Sequence, residues 1–584
     1  MSNFFTDNED IQFLFNHLNF ARIAELREEG FRFSDDFEHA PANAEEAIDN
    51  YKRVLTVVGE IAGERVAPTA ADTDLVGNVL NTDGSVTYAP GIAEAIKLFG
   101  QADTMGFTLP YRFGGINCPS LLYTMSNDIV SRADAALMNI YGLQGIAETI
   151  NAFASEEIKQ EYLPRMASGE WTGAMVLTEP DAGSDLQAVK VRAYQDEKGQ
   201  WYVRGVKRFI TNGCGEVLLV LARTEPEIAD GRGLSCLLVE RGPRVRVRRL
   251  ENKLGIHGSP TCEIFFDDAP GKLIGERRRG LITYVMSLMN GARIGIAAQS
   301  LGIGEAAYRV ARDYAHSRKQ FGTAIENFPS LRDLLVDMNI DLQAARSLSY
   351  FAAFCVDLEE GLTKKVAAGQ QNIDAEVFKK LRVEERKYKG FNKMLTPMAK
   401  YYSSEMSMRV SNSSMAVLGG SGYMKDYAVE RHLRDSRITT IYEGTSQLQV
   451  VAAIAGVMGG VVNEVIADIL GNRIWPAEIE PLIAKINDGI ALFAEAIAYV
   501  KAHTGGNAYR DLHARKLVDI GIDLIVAALF CDQATANTKK LVIAKRWLSD
   551  RMPRIRMLKE LTCSGEQSTL SDFDTLAGPL PAID

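Results

Sequence analysis

Between Glu170 and about Glu276 the hydrophobic pattern switches from helical spacing to alternation, and no other feature limits the possible folds so tightly. Trp201-Tyr202-Val203, Arg208-Phe209-Ile210-Thr211, Val217 to Ala222, Leu237-Leu238-Val239, Val245-Arg246-Val247-Arg248 and Ile264-Phe265-Phe266 read as strands. Asn212-Gly213, Gly231-Arg232-Gly233 and Gly242-Pro243 supply turns between them. A compact all-β unit, a small barrel or sandwich, is thus inserted between two helical halves. The fold class is α+β, mainly α: an N-terminal helical domain over 1–169, a β domain over 170–278, a C-terminal four-helix bundle over 279–456 and a helical extension over 457–584.

In the first half, Tyr51 to Gly63, Ile92 to Phe99 and Tyr123 to Phe153 carry helical apolar spacing. Phe107-Thr108-Leu109-Pro110 with Gly114-Gly115 makes a loop, and Ser155 before Glu156-Glu157 reads as an N-cap. Helix returns at Leu281, and Leu331, Leu334, Leu335, Met338, Leu342 and Ala345 form a stripe expected in the bundle core. Gly361 to Arg386 is polar and charged and reads as a loop or short exposed helix. Gly459-Gly460 and Trp475-Pro476 punctuate the start of the extension. Its basic segment, Lys539, Lys540, Lys545, Arg546, Arg551, Arg554 and Arg556, fits either a solvated helix face or, less simply, an anionic membrane surface.

A chain of 584 residues exceeds one ordinary core, so two to four domains are expected. Its seven cysteines form no CxxC pair, which argues against a zinc site or disulfide framework and fits a reducing cytoplasm. The start, Met1-Ser2-Asn3-Phe4-Phe5, lacks a basic leader pattern, and no continuous apolar run approaches a membrane span. A net charge of −10 disfavours nucleic acid as a partner.

Four stretches carry chemistry. They are Leu177-Thr178-Glu179-Pro180-Asp181-Ala182-Gly183-Ser184-Asp185, Phe209-Ile210-Thr211-Asn212-Gly213, Arg318-Lys319-Gln320-Phe321-Gly322 and Ile441-Tyr442-Glu443-Gly444-Thr445-Ser446-Gln447. A glycine-rich turn, Leu418-Gly419-Gly420-Ser421-Gly422, precedes the last. Each alone is weak. In this order, on an α–β–α plan, they closely resemble the acyl-CoA dehydrogenase family over roughly residues 60–456. In length the chain is similar to the longer branch, which includes enzymes like 3-methylmercaptopropionyl-CoA dehydrogenase.

The resemblance implies an FAD enzyme acting on acyl-CoA. Glu443 takes the place of the base that removes the α-proton, and Gly444 would lie against the acyl group. Some members carry the base just before the arginine matched by Arg293, but Ala292 stands there and cannot serve. Arg293 and Asn290 match positions near the acyl-CoA, although many members have Asp where this chain has Asn290. Leu177, Thr178 and Ser184 would contact the flavin, Ser184 also the CoA. Phe209 would stack on the ring, or else simply pack in the β core. Thr211 would bond near N5. Arg318, Gln320, Phe321, Gly419 and Gly420 match segments reaching the partner subunit's FAD, and Thr445 and Gln447 match contacts to its adenylate part. A homodimer or homotetramer is implied, as is electron transfer to electron-transferring flavoprotein. No metal ligand is expected and membrane contact is not. Pro329 and Ala416 stand where glutamines often contact the dinucleotide, and His257 stands where Arg is frequent. An acyl-CoA oxidase and a DNA-associated flavoprotein of the same fold are the alternatives.

Overall fold

The computed structural model describes residues 2–369 and 374–581. Two compact units divide the chain: Met1–Tyr388 with Ser403–Gly444, and Lys389–Tyr402 with Thr445–Asp584.

The first unit opens with Glu9–His17 (α1), Phe20–Arg27 (α2), Ala44–Glu60 (α3) and Ala70–Val76 (α4). A short ribbon, Val79–Leu80 (β1) with Val86–Thr87 (β2), leads to Pro90–Gln101 (α5), Ser120–Ala133 (α6), Ala135–Leu143 (α7), Ile146–Phe153 (α8) and Glu156–Ala167 (α9). Side-chain caps set several boundaries: Asn8, Asn43, Asp134 and Ser155 each accept from backbone N–H groups of the first turn that follows. The helical region over 123–153 consists of three helices, divided where Asp134 caps α7 and at the turn after Leu143.

The β domain contains Gly173–Val176 (β3), Arg192–Gln195 (β4), Trp201–Thr211 (β5), Val217–Arg223 (β6), Leu234–Glu240 (β7), Val245–Leu250 (β8) and Thr261–Leu273 (β9). The ring β6–β4–β5–β9–β7–β6 closes, with β3 added to β6 and β8 to β9. All expected strands are present. The two adjacent stretches 201–203 and 208–211 are one long strand interrupted by bulges, and β3 and β4 are additions. β6 is buried on both faces: Leu218, Val220 and Ala222 fill the barrel, while Val217 and Leu219 join the helical core of α8 and α9.

Met286–Ser317 (α10) follows a π-turn at Gly280–Val285. A hairpin, Lys319–Gln320 (β10) with Thr323–Ala324 (β11), precedes Pro329–Gly369 (α11), Ala375–Leu418 (α12) and Val429–Thr439 (α13). The segment 361–386, expected as a loop or short exposed helix, is the end of α11 and the start of α12, with 370–373 outside the described residues. Gly280–Ser317 is long and apolar enough to cross a membrane, contrary to the expectation that no run approached that length. Asn290, Arg293 and Gln299 interrupt its apolar residues, and every residue from Ile296 to Ala307 is buried among neighbouring helices. A side chain at Gly302 would strike the carbonyl of Asp128, so this glycine permits the close approach of α6. Arg346, 1% exposed, joins Asp10, Asp128 and Glu305 at 2.9–3.0 Å and ties the first helix to the bundle.

The second unit is helical. Ser446–Gly459 (α14), Val461–Leu470 (α15), Glu480–Ala502 (α16), Gly506–Ala534 (α17) and Thr538–Thr562 (α18) are joined by the middle of α12. Gly460 turns the chain in the left-handed region between α14 and α15. The apolar run Ile520 to Cys531 is the buried stripe of α17. Asp523 within it pairs with Arg554 at 2.5 Å, and Asp519 pairs with Arg554 at 2.7 Å. Part of the basic segment thus turns inward to neutralise α17, rather than forming only a solvated face.

Candidate active site

The Leu177–Ser184 loop is pinned from beneath. Lys207, on an inward position of β5, is fully buried and donates to the Leu177 carbonyl at 2.7 Å. Its ammonium lies 3.0 Å from the Glu179 carboxylate, which also accepts the N–H groups of Lys190 and Val191 at 2.7 and 2.9 Å. Burial pushes Lys207 down to about 8, with Glu179 opposing. The next N–H, of Arg208, donates to the Thr178 carbonyl at 3.0 Å. Leu177 and Thr178 are thereby held beside Phe209.

Phe209 itself sits in a bulge between Lys207 and Ile210. Its backbone is left-handed (φ 61°), and its ring is 51% exposed under the Arg208 guanidinium. A bulge re-aims a side chain that regular pleating would bury, so the β-core alternative for Phe209 is set aside. Thr211 pairs with Thr261 on β9. Glu179 and Ala182 close a tight turn that leaves Gly183 and Ser184 exposed. This half-exposed flat ring, between the Thr178 and Thr211 segments, fits an isoalloxazine.

Leu177 also packs with Leu281, Val285 and Met289 at the start of α10. Asn290 and Arg293 come next on that helix. Arg293 Nη1 donates to Asn290 Oδ1 at 3.2 Å, while its Nε is buried without a hydrogen-bond partner among the described residues. Burial lowers the Arg293 pKa, and the nearby Glu443 carboxylate opposes this. The Glu443 carboxylate thus lies near enough to act on the Arg293 charge, and Arg293 Nε is a dry donor. Glu443 (φ 54°) and Gly444 (φ 90°) both have left-handed backbones.

Arg318, Gln320 and Phe321 do not join this group. They form the hairpin at the far end of α10, where Phe321 is 94% exposed with φ 52°. The Tyr314 hydroxyl, one turn before, lies 3.4 Å from Ser421 beside the exposed Gly419 and Gly420. Thr445 and Gln447 open the second unit, where Thr445 caps α14 through the Leu448 N–H. His257 bonds Asp74 and the Lys253 carbonyl through its two ring nitrogens, which gives it structural work in its loop. Sequence reading missed Lys207, Glu179, Asn139 and Gln299. Only Glu179 left a signal, through its place in the Leu177–Asp185 stretch.

A β-barrel between helical domains, with an exposed ring on its rim and an acid close enough to a half-buried arginine to act on its charge, defines a flavin-dependent oxidoreductase acting on acyl-CoA thioesters. The N-terminal, middle and C-terminal domain profiles of acyl-CoA dehydrogenase match residues 49–170, 174–269 and 279–458. The chain belongs to the acyl-CoA dehydrogenase family. An acryloyl-CoA reductase (NADH) of Anaerotignum propionicum is 35% identical over 63% of this chain and 86% of that protein. The 3-methylmercaptopropionyl-CoA dehydrogenase of Ruegeria pomeroyi is 30% identical over 69% of each. A chain in the structure of the electron-transferring flavoprotein of Acidaminococcus fermentans is 30% identical, with a TM-score of 0.59 over 69% of this chain and 97% of that one. The acyl-CoA dehydrogenase of Bacillus anthracis, complexed with FAD, has a TM-score of 0.74 over 91% of this chain and 92% of its own. At 22% identity that likeness speaks for the fold alone.

Proposed function

We propose that the chain dehydrogenates an acyl-CoA thioester to the trans-2-enoyl-CoA, with Glu443 as the base for the α-proton. The observation that carries this reading is the Glu443 carboxylate lying near enough to Arg293, close to the start of α10, to act on its charge. An α-proton beside a thioester is weakly acidic, so its base must be aimed and shielded from bulk water. As charge builds on the thioester oxygen, the Glu443 N–H would donate to it. Arg293 and Asn290 would orient the acyl-CoA, and Gly444 would let the backbone lie against it. Leu177, Thr178, Ser184, Phe209 and Thr211 would hold FAD, which supplies the acceptor for the β-hydride. The electrons then pass to electron-transferring flavoprotein. The relatives named for acryloyl-CoA and 3-methylmercaptopropionyl-CoA favour a short or functionalised acyl group.

The distance along α10 supports a shared cofactor site. Arg318 lies 25 residues beyond Arg293, about 37 Å of helix. One chain cannot bring both to a single flavin, whereas a second copy can supply the hairpin. Thr445 and Gln447 would contact the adenylate part.

In Glu443→Gln, the purified protein should remain yellow and lose turnover with a panel of acyl-CoAs and an artificial acceptor, by at least about a thousandfold. Retained turnover would reject Glu443 as the base.

A further inference from the structure

A non-glycine residue keeps a left-handed backbone only where its surroundings impose it. At Glu443 the preceding side chain is anchored by groups with no direct part in the reaction. The Tyr442 hydroxyl donates to Gln299 Oε1 and lies 3.0 Å from Asn139 Oδ1. Gln299 Nε2 donates to Asn139 Oδ1 at 2.9 Å and to the Ala135 carbonyl at 2.8 Å. Asn139 Nδ2 donates to Ser259 Oγ at 3.3 Å. Gln299 is 0% and Asn139 5% exposed, so water cannot substitute for a lost partner.

Three elements meet around this phenol, two of them directly and the third through Asn139. Asn139 comes from α7, Gln299 from the same helix as Arg293, and Ser259 from the loop two residues before Thr261. Thr261 is the register partner of Thr211, so the arm beside Glu443 and the strand beside Phe209 share one frame. Burial and the neighbouring Glu443 charge both raise the Tyr442 pKa, which keeps its hydroxyl a donor. A tyrosine turns about only two side-chain torsions. With its ring half-buried and its end bonded, it fixes the chain on the amino side of residue 443.

We propose that Tyr442, Gln299 and Asn139 are positioning residues that hold the Glu443 carboxylate at its working angle to the substrate α-carbon. The proposal rests on Glu443 being the base. It requires that loosening the phenol slow proton removal without weakening acyl-CoA or flavin binding.

The test is a double-mutant cycle on the holoenzyme, reading the rate of anaerobic flavin reduction by an acyl-CoA substrate. Tyr442→Phe keeps the ring and removes the donor. It should slow reduction by ~100-fold while flavin content is unchanged, the loss expected when a catalytic group is misplaced by about 1 Å. The acyl-CoA concentration for half-maximal rate should stay within about twofold. Combined with Glu443→Asp, the two effects should fall well short of multiplying, because both act through one carboxylate. Wild-type reduction in Tyr442→Phe, or multiplying effects in the double variant, overturns the positioning role. Gln299→Met, which removes the acceptor at similar volume, should reproduce the slow reduction if Tyr442→Phe proves too unstable to purify. A wild-type rate in that variant overturns the role equally. Glu443→Gln is run beside them: activity there rejects the base, whereas a dead Glu443→Gln with a wild-type Tyr442→Phe rejects positioning alone.

Discussion

Three of the expected site residues, Phe209, Phe321 and Glu443, are non-glycine residues with positive φ. Each such backbone costs of order 1–3 kcal/mol and must be held by its neighbours. At Phe209 the holding group is the Lys207–Glu179 pair, which fixes the strand on one side of the bulge and the Leu177 loop on the other. Removing one member strands a buried charge. Lys207→Met or Glu179→Gln should therefore lower unfolding free energy by about 3–5 kcal/mol, as read by urea titration, and release flavin. Replacing both by apolar residues should recover much of the stability but not flavin retention, because the loop would keep its packing and lose its tether.

At the scale of elements, the β domain and the bundle stripe were legible because alternation and helical spacing are local. From Leu335 to Ala345 the stripe is buried as its spacing predicts. β3 and β4 escaped notice because each has four residues, too few for a period to show, and Gly173-Ala174-Met175-Val176 does not alternate at all. The segment 361–386 was misread because polarity was taken for loop. Its Ala, Leu, Glu, Lys and Arg are strong helix formers; α11 and α12 expose most of the charged ones and bury Leu362 and Leu381. The acid and its loop could be found from Tyr442-Glu443-Gly444-Thr445, yet what holds them could not. Asn139, Gln299 and Tyr442 lie far apart in the chain, and only the packing of α7, α10 and the loop after α13 makes them neighbours.

For the molecule as a whole, burial raises several carboxyls. Asp357 is pushed up to about 6, Asp435 to about 7 and Asp523 to about 6. An unfolded aspartate titrates near ~3.9, so between about pH 4 and their folded values the native state holds more protons than the unfolded chain. Stability therefore declines as pH rises through that window. Glu360, pushed up to about 8 by burial, adds to this decline, and His432, pushed down to about 3 by burial, acts in the opposite sense. The urea midpoint should be higher near about pH 5 than near about pH 7.5. Asp435→Asn, which removes the acid that accepts the Ile256 N–H at 2.5 Å, should flatten the slope.

The length of α10 reaches beyond a single polypeptide. If the hairpin at one end serves a neighbour's flavin and the acid serves its own, two different broken chains can repair one another. Arg318→Ala and Glu443→Gln, each inactive by itself, should regain activity when unfolded together and reassembled. Each mixed pair would own one whole centre, made from the sound base of the first chain and the sound arginine of the second. Blends that stay silent would mean that every chain works with its own hairpin.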